Sequence, residues 1–177
     1  MSEGSPRTIL AQGRHLRLVS EAGWEYVERN AASGVAVIVA VTPEGRLLLV
    51  EQFRRPVGRR VIELPAGLAG DLPNPADEAL AVAAGRELVE ETGYAADRMS
   101  PLTAGPPSAG LSTEVVTFLR ADGLRRVGPG GGEPGEDITV HEVALDTVVD
   151  WLRGREATGV LVDPKVYAGL YFLERRA

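Results

Sequence analysis

Three acidic residues with helical spacing, Glu87, Glu90 and Glu91, are the clearest candidates for chemistry in this chain. At about 100° per residue, a helix would place all three side chains within one arc of about 100°. Like charges on one helical face repel one another and weaken the helix unless a partner neutralises them. Mg²⁺ and Mn²⁺ are hard cations that take oxygen ligands of this kind. The spacing therefore indicates a metal site, and a solvated, salt-bridged helix face is the alternative interpretation.

The elements that position these carboxylates follow from composition and periodicity. Residues 79–91 are rich in alanine, leucine and glutamate and predict a helix, with Gly93 at its C-terminal cap. The β-branched run at 35–41 predicts a strand covered on both faces, and residues 46–51 are expected to return as the second arm of a hairpin. Further predictions are strands at 60–64, 115–119 and 138–145, helices at 146–153 and 165–175, a loop at 67–77 and a mobile, glycine-rich loop at 121–137. Strands and helices interleave, so we expect a mixed α/β class with a sheet between helices.

Composition excludes several kinds of site. The chain has 177 residues, 44% of them hydrophobic and 25% charged, which is ordinary for one folded domain. It contains no cysteine, which excludes disulfide scaffolds, zinc–thiolate sites and thiol nucleophiles, and only two histidines. The net charge of −6 argues against a nucleic-acid-binding surface. No apolar run is long enough for a membrane helix and the first residues are polar, so we expect a cytoplasmic protein without membrane or nucleic-acid partners.

The acidic segment is part of a longer pattern. Glu78 is followed after seven residues by Arg86-Glu87-Leu88, then by Glu90-Glu91 and Gly93-Tyr94. This pattern resembles the Nudix box, the signature of Mg²⁺-dependent hydrolases that cleave nucleoside diphosphates linked to another group. The resemblance implies the Nudix fold, an α/β/α sandwich with a mixed sheet. It also implies Mg²⁺ as the cofactor, with Mn²⁺ able to substitute.

The pattern departs from the family at one position. The family glycine normally precedes the first glutamate of the box by six residues, where this chain has Leu72. Gly67 is the best replacement, which implies an insertion of five residues within 68–77. We therefore include Gly67 among the substrate-binding residues.

The segment ahead of the box narrows the resemblance to one branch of the family. Leu49-Val50-Glu51-Gln52-Phe53-Arg54-Arg55-Pro56, followed by Ile62-Glu63-Leu64-Pro65-Ala66-Gly67, is similar to ADP-ribose pyrophosphatases. In that branch the backbone carbonyl of the alanine before the glycine joins the metal site, and the arginine after Gln-Phe contacts phosphate. The resemblance thus implies a phosphate contact from Arg54 and a metal site formed by the Ala66 carbonyl, Glu87, Glu90, Glu91 and Glu136.

The N-terminal stretch is similar to the part of these enzymes that recognises the base. Trp24 would stack on adenine, Glu25 would accept hydrogen bonds from its amino edge, and Arg29 would contact phosphate or ribose. A core position in a small sheet is the alternative for Trp24. In this branch the N-terminal antiparallel sheet is exchanged between subunits. The resemblance therefore implies a homodimer with composite sites, in which residues 1–34 form the strand region and 35–177 the Nudix domain.

Two downstream segments also resemble this branch. Residues 108–114 align with a Ser-Pro-Gly-x-x-x-Glu stretch associated with ADP-ribose specificity, with Ala109 in place of the proline and Glu114 as the expected substrate contact. The loop at 133–137 resembles the one that carries the catalytic glutamate. Register favours Glu136 as the general base, with Glu133 as runner-up and Glu90 on the helix as the remaining possibility.

The function implied is metal-dependent hydrolysis of the pyrophosphate bond in a nucleoside diphosphate sugar, with ADP-ribose giving AMP and ribose 5-phosphate. Another substrate, such as GDP-mannose, ADP-glucose or FAD, is one alternative. A nucleotide-sensing, Nudix-like binding module without activity is the other, but such a module should lack the acidic set that this chain retains.

Overall fold

A computed structural model of the chain describes residues 6–30, 34–69, 80–133 and 135–174. The described residues form thirteen strands and three helices, because β-branched runs favour strands and alanine- and leucine-rich segments favour helices. The strands are β1 (Thr8–Gln12), β2 (Leu16–Glu21), β3 (Trp24–Arg29), β4 (Gly34–Ala40), β5 (Arg46–Arg54), β6 (Arg59–Glu63), β7 (Ala66–Ala69), β8 (Tyr94–Ala95), β9 (Arg98–Gly105), β10 (Val116–Asp122), β11 (Arg125–Arg126), β12 (Thr139–Ala144) and β13 (Leu161–Val162). The helices are α1 (Leu80–Thr92), α2 (Val148–Ala157) and α3 (Pro164–Glu174).

The strands are divided among four sheets. One four-stranded sheet has the order β7-β4-β10-β9, in which β4 and β10 are parallel and the other pairs antiparallel. The second has the order β12-β5-β6-β13, and β8 pairs with β11. A separate antiparallel sheet, β1-β2-β3, lies at the N-terminal end. The expected class, with mixed sheets and a small N-terminal antiparallel sheet, is confirmed.

The hydrophobic core consists of two clusters of side chains, one on each face of β4. Val37 and Val39 belong to a cluster that includes Leu152 of α2 and residues of α3, whereas Ile38 packs with Leu88 of α1. Successive side chains of a strand point to opposite faces, so β4 is covered by α1 on one side and by α2 and α3 on the other. This is the sandwich that the resemblance implies. No helix in the described ranges is long and apolar enough to cross a lipid bilayer.

The end of α1 is joined to the glycine-rich segment that follows β11. Gly93 caps the helix with φ +76°, and a Cβ atom there would lie 2.3 Å from the carbonyl oxygen of Gly128. The N–H groups of Gly131 and Gly132 donate to the carbonyl oxygens of Glu91 and Glu90 over 2.8 and 2.9 Å. A helix leaves its last carbonyls without intrahelical partners, and this segment supplies them.

Several predictions about local structure are wrong. β4 and β5 do not form a hairpin but lie in different sheets, connected by one isolated bridge between Val41 and Leu47. The reason is that β4 already pairs with β7 on one edge and with β10 on the other. The segment 121–137, expected to be a loop throughout, contains the end of β10 and the strand β11, and the N–H groups of Gly131 and Gly132 donate to carbonyl oxygens of α1. Its expected mobility stays a prediction.

The loop predicted at 67–77 begins instead as the strand β7, because residues 66–69 pair with β4. Residues 70–79 lie outside the described residues; they include the rest of that loop, with Leu72, and also Glu78. The strand β9 was not predicted. Its apolar residues do not alternate regularly and it contains Pro101, which is unfavourable inside a strand.

Candidate active site

The helix α1, which carries Glu87, Glu90 and Glu91 and is called the acidic helix below, borders one cavity together with the loop before β12. This acidic cavity has a volume of about 290 Å³. It is lined mostly by charged residues, which come from β5, α1 and the glycine-rich loop, and by residues of β7. The lining residues are Gln52, Arg54, Ala66, Gly67, Leu68, Arg86, Glu87, Glu90, Glu91, Glu133 and Glu136. The structure thus brings together the residues proposed for the metal, the phosphate contact from Arg54 and the candidates for the base.

Glu91 is the buried member of the acidic set, with 7% of its surface exposed. Its Oε2 accepts a hydrogen bond from the backbone N–H of Ala66 over 3.0 Å. Burial raises the pKa of the Glu91 carboxyl to about 8, and the negative charges of Glu87 and Glu63 act in the same direction. A nearby cation would favour the ionised form, so this carboxyl is sensitive to whether a metal is bound.

Glu87 and Glu90 are both paired with Arg86. The Arg86 Nη1 atom lies 3.1 Å from Glu87 Oε1 and 2.9 Å from Glu90 Oε2. Gly67 leaves the room for Glu87, because a Cβ atom on residue 67 would lie 1.9 Å from Glu87 Cγ. The close approach of β7 to α1 therefore requires glycine at this position.

Arg54 reaches the cavity from the end of β5. Its Nε donates to Glu63 Oε2 over 2.6 Å. Gln52 lines the same cavity two residues earlier on β5, on the same face as Arg54 because strand side chains alternate. Gln52 was not predicted as a site residue, although alternation along β5 is the signal that could have found it. Glu63 was not predicted either, because it lies on β6 and meets Arg54 only through the pairing of the two strands.

The two glutamates of the loop at 133–137 contact each other through one turn. The Glu133 N–H donates to Glu136 Oε2 over 2.9 Å, and the Glu136 N–H donates to the Glu133 carbonyl oxygen over 3.0 Å. The Glu136 carboxylate is thus bound to its own loop while lining the cavity. Both glutamates stay candidates for the base.

A second cavity, of about 460 Å³, lies between β3 and the start of β10. Arg29 and Glu114 both line it, and Arg29 Nε donates to Glu114 Oε2 over 2.7 Å. Val35 of this cavity is the cross-strand partner of Leu68, which lines the acidic cavity. The two cavities are therefore neighbours across one strand pair.

Trp24 and Glu25 lie elsewhere on β3. Trp24 is 63% exposed, so the alternative that it is a core residue is wrong. Within the described part of the chain, neither side chain lines the acidic cavity or the cavity of Arg29. The N-terminal sheet contacts its own chain at Val27, whose N–H donates to the Leu111 carbonyl oxygen over 2.9 Å.

The acidic cavity fits a hard divalent cation by the chemistry of its donors. No three acidic or histidine side chains in residues 6–30, 34–69, 80–133 and 135–174 are already arranged as a metal cage. The glutamates would supply carboxylate oxygens, the ligands that Mg²⁺ and Mn²⁺ prefer. In the structure, the Arg86 guanidinium offsets part of the negative charge of Glu87 and Glu90 that a cation would neutralise.

Comparisons with known proteins agree with this site. The NUDIX domain model matches residues 32–161. The chain is 34% identical over 143 residues to an ADP-ribose pyrophosphatase of Bacillus subtilis (strain 168), covering 80% of this chain and 72% of that protein. It is 40% identical over 145 residues to an ADP-ribose pyrophosphatase of Mycobacterium tuberculosis, covering 77% of this chain and 63% of that one. It is also 31% identical over 170 residues to a GDP-mannose pyrophosphatase of Enterobacter sp. (strain 638), with coverage of 91% and 78%.

A solved structure has the same fold. The crystal structure of an ADP compounds hydrolase superposes with a TM-score of 0.68 at 18% identity, covering 85% of this chain and 82% of that chain. The domain match extends over most of the chain and includes the acidic helix. This protein therefore belongs to the Nudix family of hydrolases.

Proposed function

We propose that this protein hydrolyses the pyrophosphate bond of ADP-ribose and releases AMP and ribose 5-phosphate. One observation carries the proposal: three helical glutamates, Arg54 and two loop glutamates line the same cavity. The names of the relatives from Bacillus subtilis and Mycobacterium tuberculosis support the substrate. Nudix hydrolases generally depend on divalent metals, and we propose Mg²⁺, with Mn²⁺ able to substitute.

In this proposal Glu87, Glu90 and Glu91 would hold the cation together with the backbone carbonyl of Ala66. When bound, the cation neutralises phosphate charge and lowers the pKa of a water molecule. Glu91 must lose its proton to take part, because ligands bind metals in the deprotonated form. Loading would therefore release the proton that Glu91 holds when burial raises its pKa to about 8.

Arg54 binds the phosphates. Its Nε is occupied by Glu63, which fixes the guanidinium plane and leaves the two terminal nitrogens to donate to phosphate oxygens. A guanidinium suits this role because its fork matches the geometry of phosphate. Charge that develops on the phosphate oxygens during attack is then stabilised by a fixed donor.

Glu136 is the proposed general base. The attacking water forms a new bond to phosphorus, the phosphorus–oxygen bond of the bridge breaks, and Glu136 takes the water proton. For this its carboxylate, which already lines the cavity, turns from the Glu133 N–H towards the water. Gly135, with φ +106°, permits such a change of backbone at little steric cost.

Nucleoside recognition is assigned to the N-terminal region, residues 1–34, in front of the Nudix domain at 35–177. Arg29 and Glu114 line the cavity next to the acidic one, and Trp24 and Glu25 supply stacking and hydrogen bonds to the base. Trp24 is exposed and, among the described residues, lines neither the acidic cavity nor the cavity of Arg29. This position supports a homodimer in which the N-terminal sheet of one subunit completes the site of the other.

A substrate panel tests the proposal. ADP-ribose, GDP-mannose, ADP-glucose and FAD are each incubated with Mg²⁺ or Mn²⁺, and products are separated by chromatography. We expect the highest kcat/KM for ADP-ribose. GDP-mannose is the second candidate, because Ala109 replaces the family proline and a GDP-mannose pyrophosphatase is among the relatives. Binding of ADP-ribose without cleavage of any member would show a sensor rather than an enzyme.

A further inference from the structure

We propose that Arg60 and Asp137 position the loop that carries Glu136, through the buried carboxylate of Glu51. None of these three residues lines the acidic cavity among the described residues. The inference rests on the proposed function, because it concerns delivery of the general base. It makes Arg60 and Asp137 positioning residues rather than catalytic ones.

Glu51 is the fixed point of this arrangement. Only 3% of its surface is exposed, at the centre of a cationic cluster. Its carboxylate accepts hydrogen bonds from Arg60 Nε over 2.8 Å and from Arg155 Nη2 over 2.6 Å, and His141 Nε2 lies 2.9 Å from Oε2. A buried carboxylate that accepts hydrogen bonds from two arginines is held in one place.

Arg60 connects this buried group to the loop. Its Nη2 donates to the Glu51 carbonyl oxygen over 3.2 Å, while Nη1 donates to Asp137 Oδ2 over 2.7 Å. Exposed ion pairs usually contribute little, because both side chains must lose freedom to form them. Here Glu51 has already fixed the guanidinium, so forming the pair orders only Asp137.

The ion pair between Arg60 and Asp137 anchors one end of the loop, at the residue next to Glu136. At the other end, the N–H groups of Gly131 and Gly132 are bonded to the last carbonyls of α1. The loop is therefore anchored on both sides of Glu133 and Glu136. The Glu136 carboxylate can then turn from the Glu133 N–H towards an attacking water without release of the whole loop.

Kinetics separate this role from a general effect on folding. Asp137→Asn should lower kcat for ADP-ribose at least about tenfold, because small misplacements of catalytic groups are costly. KM should change less than about twofold, since the substrate-binding residues are untouched. The Tm should not change, because Asp137 is 78% exposed. The matched control is Asp150→Asn, which removes an 85% exposed aspartate paired with Arg153 on α2 and should leave kcat unchanged.

Two further measurements complete the test. On a Glu136→Gln background, Asp137→Asn should cause no additional loss, because it acts through Glu136; a further tenfold loss would overturn the proposal. Hydrogen exchange at 135–139 should be faster in Asp137→Asn than in wild type. Unchanged exchange or unchanged kcat would each overturn it. If wild type cleaves no ADP-ribose, the proposed function fails, and the exchange measurement still decides whether Asp137 anchors the loop.

Discussion

The backbone N–H of Ala66 donates a hydrogen bond to Glu91 Oε2 over 3.0 Å. This bond joins the first residue of β7 to the last glutamate of α1, at the most buried carboxylate of the acidic cavity. The neighbouring residue, Gly67, allows Glu87 to lie against the same strand. Strand and helix thus fix two proposed metal ligands relative to one backbone segment.

The raised pKa of Glu91 predicts a pH dependence of stability in the metal-free protein. Its pKa is about 8 in the folded chain against an ordinary value of 4.5, so the folded state binds more protons than the unfolded state between these values. The stabilisation is complete below about pH 4.5 and is lost as the pH rises through about 8. Calorimetry in EDTA should show Tm falling over this window in wild type.

Glu91→Gln should flatten this fall, because an amide cannot ionise yet can still accept the Ala66 N–H. Glu90→Gln is the control: it removes a half-buried carboxylate from the same face and should keep the pH dependence of wild type. Equal slopes for wild type and Glu91→Gln would mean that another group controls the pH dependence.

Gly67→Ala should damage activity more than stability. The added Cβ would lie 1.9 Å from Glu87 Cγ, which forces this proposed ligand out of place. Misplacement of a metal ligand should lower kcat at least about tenfold. Gly85→Ala on α1 is the control, since a Cβ there has no heavy atom within 4 Å. That change should keep activity and stabilise the helix by about 0.5–1 kcal/mol. Normal turnover by Gly67→Ala would show that Glu87 is not a ligand.

The assignment of the base is tested by two matched variants. Glu136→Gln should lower kcat at least about a hundredfold, the low end of the loss expected for a general base, with KM nearly unchanged. Glu133→Gln should be mild, because its contact to Glu136 is made by the backbone. Reversed results would identify Glu133 as the base, and activity in both variants would point to Glu90.

Trp24→Ala should raise KM about tenfold and leave kcat nearly unchanged, because stacking on a base is worth roughly 1–3 kcal/mol in both ground and transition states. Its Tm should match that of wild type, since Trp24 is exposed. Ile9→Ala, which shortens another exposed side chain of the same sheet, is the control and should leave KM unchanged.

Mixed dimers test whether the sites are composite. A mixed dimer contains one Trp24→Ala subunit and one Glu91→Gln subunit. If Trp24 acts in the partner's site, the Trp24→Ala subunit keeps its own Glu91 and receives an intact Trp24 from its partner, so one site should have the KM of wild type. If Trp24 acts within its own subunit, no mixed dimer recovers that KM. A monomer in sedimentation would exclude the exchanged sheet.

Local sequence patterns predicted where strands and helices lie better than they predicted which strands pair. The β-branched run at 35–41 correctly predicted a strand covered on both faces, and Gly93 correctly predicted the end of α1. The hairpin of β4 and β5 failed because a turn at 42–45 does not show that β7 and β10 take both edges of β4. Pairing depends on contacts that are distant in sequence.

The same limit applies to the site. Glu87, Glu90 and Glu91 could be found from their spacing on one helix. Glu51 is hidden in an apolar strand, and one of its partners, Arg155, lies 104 residues away, so no local pattern indicates the buried cluster. Assembly of the acidic cavity likewise depends on how β5, β7 and the loop before β12 meet α1.

The most direct test of the account is a Mg²⁺ titration of ADP-ribose cleavage by metal-stripped wild type and Glu91→Gln, with AMP and ribose 5-phosphate quantified. We predict that wild type is inactive without metal and gains activity saturably with Mg²⁺, while Glu91→Gln stays at least about a hundredfold slower at every Mg²⁺ concentration. Metal-independent cleavage by wild type, or equal turnover by Glu91→Gln with the same Mg²⁺ dependence, would contradict the assignment of the acidic helix as the metal site.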